Sequence, residues 1–391
     1  MRFLKGKDGR TNHQKIIAGT TVLGVLLIRE LFPLEKMELF FSSFINVSWI
    51  VYVLSWFIPW LVDVAGFAAI FWLFSVIYKK WWERAHKDYY LEGIWLHIHD
   101  KENPRTGLVQ INQDFYNIDT VKAINVDPNA DDPAKRQTEW EYIGNTFKPA
   151  PIDYLVSCYS ALRRDTSGKY GVHVFSNPEI SEKGYPVKVK GRFGDIIKKE
   201  NLHTTEVYDK TGKLYLFKLS KDGIDLSKKE IKELLRNPSR LANINNYEKL
   251  KNSEYGKMLK QVMEKNGILQ SYNYLSEKIK ASPTTDISVN ELDVITINLL
   301  FRIIFSDGRV NQNEVDLIND LFKKDWKRDY INSLDSGSVI TKLDVLKSDE
   351  TMLRVFKEII IEACVYIIKL DNTVHTDEQQ CLDSIKALLE D

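Results

Sequence analysis

From Leu39 to Tyr78 the chain carries one charged residue, Asp63, in 40 positions. No other stretch limits the possible folds as strongly. A bilayer core takes about 20 apolar residues per helix, so this run holds one crossing with an interfacial flank, or two crossings. A second apolar run precedes it, "IIAGTTVLGVLLIRELFP" at Ile16–Pro33, with Arg29 and Glu30 near its end. A cleaved secretory leader does not account for the pair, because the second run follows at once and is too long for such a segment. Mean hydropathy of the whole chain is negative, so its hydrophobicity is concentrated here.

Basic residues orient the runs. Arg2, Lys5, Lys7, Arg10 and Lys15 precede the first, Lys79, Lys80, Arg84 and Lys87 follow the second, and the loop between carries only Lys36. Both flanks therefore read as cytoplasmic, which requires an even number of crossings. The expectation is a membrane anchor over 1–87 with two transmembrane helices, at about 15–33 and 57–78. Residues 37–56 become an aromatic-rich interfacial or partly inserted helix, anchored by Trp49, Tyr52 and Trp56. The alternative hairpin pairs 39–56 with 58–78 and leaves the first run on the surface. Pro59 kinks or starts a helix in either arrangement. Asp63, costly inside a span, lines a pore or caps a helix.

After Trp81–Trp82 the pattern changes to alternation. "GIWLHIHD" (93–100), "RTGLVQI" (105–111), "FYNIDTVKAINV" (115–126), "QTEWEYIGNTF" (137–147), "IDYLVSCYSAL" (152–162), "YGVHVFS" (170–176), "YPVKVKGRF" (185–193), "NLHTTEVYD" (201–209) and "KLYLFKL" (213–219) read as strands. Asn103–Pro104, Asp132–Pro133, Ser167–Gly168 and Thr211–Gly212 mark turns between them. Short strands with no long helix between them predict a closed antiparallel β-barrel of about eight strands over 88–221, because closure removes exposed edges. Such a barrel is filled by side chains or holds one small ligand.

"FIPWLVDVAGFAAIFWLFSVIYKKWW", a short charged spacer, then "LEGIW", followed by "DYLVSCYSAL" and "VKGRFGD", is similar to the two-transmembrane, lipocalin-like β-barrel effectors of bacterial cyclic-oligonucleotide anti-phage signalling (CBASS). The resemblance covers about 15–221. It implies a cytosolic barrel that senses a cyclic nucleotide, assembles into a homo-oligomer and makes the anchored helices disrupt the inner membrane. Tyr159 and Arg192 are then candidates for base stacking and a bidentate phosphate contact. Their plainer readings are a packed strand aromatic and a surface charge. Trp95 reads as a core plug. The loop "DPNADDPAKRQ" and the long C-terminal extension have no place in the minimal effector, and no Gly-rich phosphate cradle or Walker lysine is present.

Residues 222–286 read as a helical connector and linker, with "LSKKEIKELLRN" the clearest helix and "ASPTTD" the link. Ser288 and Glu291 make a capping box for the next helix. A shift of 64 residues then aligns 287–391 with itself. Leu299, Leu300, Ile303 and Ile304 fall on Ala363, Cys364, Ile367 and Ile368, while Asp307, Gly308, Val310 and Glu314 fall on Asp371, Asn372, Val374 and Glu378. Leu317, Ile318 and Leu321 fall on Cys381, Leu382 and Ile385. Each unit is an apolar helical stripe, an acidic turn and a second stripe. An EF-hand is excluded, since Ile303 and Phe305 would occupy its first two ligand positions and supply no oxygen. The doubled helix–turn–helix resembles the all-helical TerB (tellurite-resistance) family. That resemblance implies divalent cation binding, Ca²⁺ or Mg²⁺, at Asp307, Glu314, Asp371 and Glu378, although Asn372 replaces the expected Gly. Capping of helix ends by the same carboxylates is the simpler reading.

The expected whole is thus a multi-domain membrane protein: transmembrane α-helices, an antiparallel β-barrel and a C-terminal all-α TerB-like domain. Lys+Arg and Asp+Glu are both 54, so bulk charge selects no nucleic acid polymer. Three cysteines without metal spacing read as reduced core residues. No HExxH, H-x-E or Gly-x-Ser-x-Gly signature supports an enzyme. The plainer functional alternative is a non-lethal membrane scaffold that recruits partners through its helical domain.

Overall fold

The structure is a computed structural model and describes residues 9–31, 39, 43, 48–115, 117–132, 137–142, 155–161, 169–197, 206–282, 287–304, 312–326, 343–344, 346–347, 349–370 and 376–390. The chain divides into two compact units, one of 1–99 and 105–249, the other of 100–104 and 250–391. Their boundary falls inside the segment read as a connector.

The first unit begins with a helical pair, α1 (Gly9–Leu31) and α2 (Ser48–Ala85). His13, Ile17 and Thr21, at helical spacing, are buried, and Gly24 next in that stripe leaves room for Ile70. His13 Nδ1 bonds the Tyr78 hydroxyl at 2.8 Å, so the two helices run antiparallel. Among the described residues one helical segment, Val64–Ala85, is long and apolar enough to cross a membrane, and none of its apolar window is buried. The expected break near residue 57 is absent. Ser48–Trp56 continues into the later turns without interruption, with Pro59 inside the helix. One missing N–H is a small loss for a cooperative helix of this length.

Nine strands follow among the described residues: β1 (Gly93–Asp100), β2 (Arg105–Asp114), β3 (Asn117–Val126), β4 (Thr138–Tyr142), β5 (Leu155–Ala161), β6 (Lys169–Phe175), β7 (Glu179–Ile180), β8 (Pro186–Ile197) and β9 (Glu206–Lys218). The sheet order is β6-β5-β4-β3-β2-β1-β9-β8-β7, and β8 pairs with β6 as well. The two last predicted strands are one. Thr211 and Gly212, read as a turn, stand opposite Gly194 and Phe193 in the β8 ladder, which supplies the partners that local sequence could not reveal. Gly93 opens β1 at φ +136°, a conformation few side chains tolerate. Trp95 is fully buried and donates from Nε1 to the Leu91 carbonyl at 2.7 Å.

Leu96, Ile98 and Leu108, on the other face of the sheet from Trp95, are buried too. A helical turn at Pro238–Ala242 packs on β2 and β3 there, after α3 (Lys228–Arg236), which is capped by Ser227 and Glu230 in a reciprocal box.

The second unit is helical: α4 (Glu254–Ala281), α5 (Val289–Ile304), α6 (Gln312–Phe322), α7 (Glu350–Leu370) and α8 (Thr376–Glu390). The internal repeat is visible in its helix starts, since Gln312 and Thr376 open α6 and α8 at the same 64-residue shift. Both stripes enter one core, where Leu299, Leu300 and Ile303 join Ala363, Cys364 and Ile367, and Leu321 joins Ile385. The Ser288–Glu291 capping box forms, each backbone N–H meeting the other's side chain at 2.9 and 3.3 Å.

Candidate functional site

Alternation along β1 sends Trp95, His97 and His99 to one face. The register sets Gly107 opposite His97 and Val109 opposite Trp95. Beyond β2, Asn125 stands opposite Gly107 and Ala123 opposite Val109, and Trp140 follows opposite Ala123. From the other side of the sheet, His173 of β6 stands opposite Phe193 of β8. One face therefore collects residues that are far apart in sequence. Toward the helical pair it is apolar, with Trp95, Val109, Ile111, Val189, Leu214 and Leu216 in one cluster. Farther along β1 it becomes a layer of rings.

His97 and His99 are 4.9 Å apart, and His99 stacks on Phe193 at 4.9 Å and 26°. His173 meets His99 at 6.1 Å and the edge of Trp140 at 5.1 Å, and Trp140 lies 6.2 Å from His97. All five side chains are buried. Gly107 is what admits the His97 ring, since a Cβ there would lie 2.6 Å from Cε1 and 1.8 Å from the Ile124 carbonyl oxygen.

Burial dominates the electrostatics. Desolvation pushes His97 down to about 4, and desolvation with the neighbouring His97 pushes His173 down to about 3. Both are neutral at pH 7, each ring with one donor and one acceptor nitrogen. Neither nitrogen of His97 has a hydrogen-bond partner among the described residues, nor does Asn125 Oδ1. Asn125 approaches the imidazole and favours its charged form, without closing a bond of good geometry. Among the described residues no three His, Cys, Asp or Glu side chains are grouped to hold a metal ion. The rings meet one another by faces and edges, the arrangements aromatic side chains favour in an interior.

The base of the same unit joins strands to helices. Trp82 is buried with Ile17, Tyr90 and Phe115, and Phe115, at φ +55° after β2, stacks on His13 at 4.0 Å. Glu83 accepts from Lys221 and, at 3.4 Å, from the Tyr185 hydroxyl. Lys218 is buried, donates to the Tyr90 carbonyl at 2.8 Å and lies over the Trp95 ring. Burial, aided by nearby Lys221, pushes its ammonium down to about 8.

The residues singled out from sequence are distributed differently. Tyr159 lies in β5 opposite Tyr142 and Gly171, with its side chain outside the described residues. Arg192 is exposed on β8, opposite Val174 and Lys213, on the face away from Phe193. Glu314 stands in the first turn of α6 and its side chain is outside the described residues; Glu378, in the first turn of α8, is buried. Asp307 and Asp371 lie outside the described residues. The ring layer escaped a search for catalytic histidine motifs, although "WLHIH" places two imidazoles at strand spacing. Compared with known proteins, the chain matches no family model, no curated protein and no solved structure.

Proposed function

We propose that the chain is a membrane-anchored, non-enzymatic anti-phage effector. Its sheet closes into an eight-stranded barrel through β6 and β8, binds a cyclic oligonucleotide, and drives homo-oligomerisation that disrupts a bacterial inner membrane. The helices cross that membrane twice, and the soluble parts are cytoplasmic. One observation carries this reading. A helix whose apolar window is wholly unburied ends in residues built into the base of the sheet, Trp82 in its core and Glu83 paired with Lys221 and Tyr185. Ala85 and Gly93 are close in sequence, so little chain is available to absorb a change between strand and helix. Barrel clustering then moves the helices. The TerB-like helical unit serves as a regulator or assembly surface, with Ca²⁺ or Mg²⁺ relieving repulsion among Asp307, Glu314, Asp371 and Glu378.

The test is dye release from liposomes carrying the full chain, challenged with a panel of cyclic oligonucleotides. Release with one of them, lost in Glu83→Lys, is the expected result. No release with any of them, together with harmless expression in bacterial cells, replaces this reading with the scaffold, in which the helical unit recruits partners. A reporter fused after Asp391 that behaves as periplasmic overturns the two-span topology.

A further inference from the structure

The last turns of α2 present two faces of opposite character. One is built into the protein, where Tyr78 meets His13, Trp82 is buried and Glu83 pairs with Lys221. The other carries Leu73, Ile77, Lys80, Trp81 and Arg84 at helical spacing, and all five are exposed. Along that face the chemistry changes in order, from aliphatic to aromatic to cationic. Trp81 is a large ring left 47% exposed, stacked on Tyr78 at 5.6 Å. Neighbouring cations are spent within the protein, Lys79 on Glu92 at 3.1 Å, Lys221 on Glu83 and Lys183 on Asp222. Lys80 and Arg84 make no ion pair or side-chain hydrogen bond among the described residues. Helical rise places them about 5 and 10 Å beyond Ile77. A bilayer makes the same change over a similar distance, since the headgroups of one leaflet occupy about 5–8 Å outside the hydrocarbon. Tryptophan, lysine and arginine favour that boundary.

We propose that Lys80, Trp81 and Arg84 form a docking edge for an anionic phospholipid leaflet. Arg84 holds a lipid phosphate by paired N–H donors, and Lys80 adds a point charge. The Trp81 ring lies at the boundary between headgroup and acyl chain. A nucleic acid would match the two cations and leave Leu73, Ile77 and Trp81 bare. Trp82 and Glu83 lie between Lys80 and Arg84 in sequence and belong to the base of the sheet. One turn of helix is thereby fixed to the headgroup plane on one side and to the sheet on the other. The inference rests on reading α2 as membrane-spanning, and adds that the protein distinguishes lipids by charge.

The experiment titrates the full chain in neutral detergent with phosphatidylglycerol, phosphatidylcholine of the same acyl chains, inorganic phosphate and a single-stranded oligodeoxynucleotide, reading affinity and the melting midpoint. The expected result is binding of phosphatidylglycerol at least tenfold tighter than phosphatidylcholine, with a midpoint that rises with lipid. Lys80→Gln with Arg84→Gln should melt as the parent does without lipid, and lose that preference. Lys228→Gln with Lys229→Gln removes the same charge from the exposed start of α3 and should keep it. Equal loss in both double variants means attraction by bulk charge and overturns the assigned edge. Equal binding of the two lipids by the parent overturns the reading of headgroup charge and leaves the membrane reading standing. Inorganic phosphate that raises the midpoint as far as phosphatidylglycerol does overturns the docking in favour of a free-anion site. An oligodeoxynucleotide bound through Lys80 and Arg84 more tightly than phosphatidylglycerol replaces the leaflet with a nucleic acid. No binding of either lipid overturns the inference and the membrane reading together.

Discussion

The two units bury their interiors by different rules. The helical unit fills its core from two copies of one aliphatic stripe, with Leu292, Ile295, Leu299, Phe356, Ile360 and Ile385 all inaccessible to solvent. Buried Lys265 meets Asp100 at 2.6 Å and half-buried Asp320 at 3.2 Å, and half-buried Asp293 meets Tyr272 and Lys324. Packing accounts for its aliphatic part, while Asn266 Oδ1 and Ser276 Oγ are buried there without hydrogen-bond partners among the described residues. The sheet interior adds three imidazoles, His97, His99 and His173, to its apolar cluster.

The largest effect that sharpens this contrast is in the helical core. Phe356→Ala should cost about 3–5 kcal/mol, because a rigid aliphatic site relaxes little around a lost ring. Amide hydrogen exchange should rise across α5 and α7. A small loss there would mean that the core is loosely packed and the contrast is false.

Acid is the next lever, and it acts on the other unit. His97 and His173 have folded values below the unfolded value of 6.5, so the unfolded chain binds more protons between those limits. Stability is full above about pH 6.5 and falls as pH drops toward the folded values, by about 2 kcal/mol at pH 5 for His97 alone. Protection factors of the β1 and β6 amides, corrected for the intrinsic fall of exchange rate with acid, should drop on going from pH 7 to pH 5, and His97→Phe should flatten the response. Indifference of the β1 amides to acid would mean that the imidazoles are hydrated and not sealed in the interior.

The smallest effect is a control that both units share. Ser227→Ala and Ser288→Ala each remove one capping box, at about 1 kcal/mol each, measured by thermal melting. Equal losses would locate the difference between the units in their interiors and not in their helix ends.

What could be read from the sequence follows from how local each interaction is. "GIWLHIHD" coincides with β1, and the 64-residue repeat reappears in the helix starts, because alternation and helical stripes are written in neighbouring residues. The turn assigned to Thr211–Gly212 and the break assigned near residue 57 were overruled by partners remote in sequence or by the cooperativity of a long helix. The short β7 carried too little pattern to be seen. The ring layer needed the register of six strands before Gly107, Asn125, Trp140, His173 and Phe193 could be assigned to the face of His97. Arg192 was chosen by residue type, and its strand position turns it to the exposed face.

The clasp at Glu83 has a geometric consequence. A helix rises 1.5 Å per residue, so α2 is a rod of about 57 Å, clasped at Glu83 and packed on α1 at Tyr78 and Ile70. Rotation at the held end is multiplied by that length. A tilt of about 5°, roughly half an ångström of slip where Glu83 meets Lys221 and Tyr185, displaces the Ser48 end by about 5 Å and carries α1 with it. Three side chains at the rim of a sheet thus act as the short arm of a lever, and the apolar helix as its long arm.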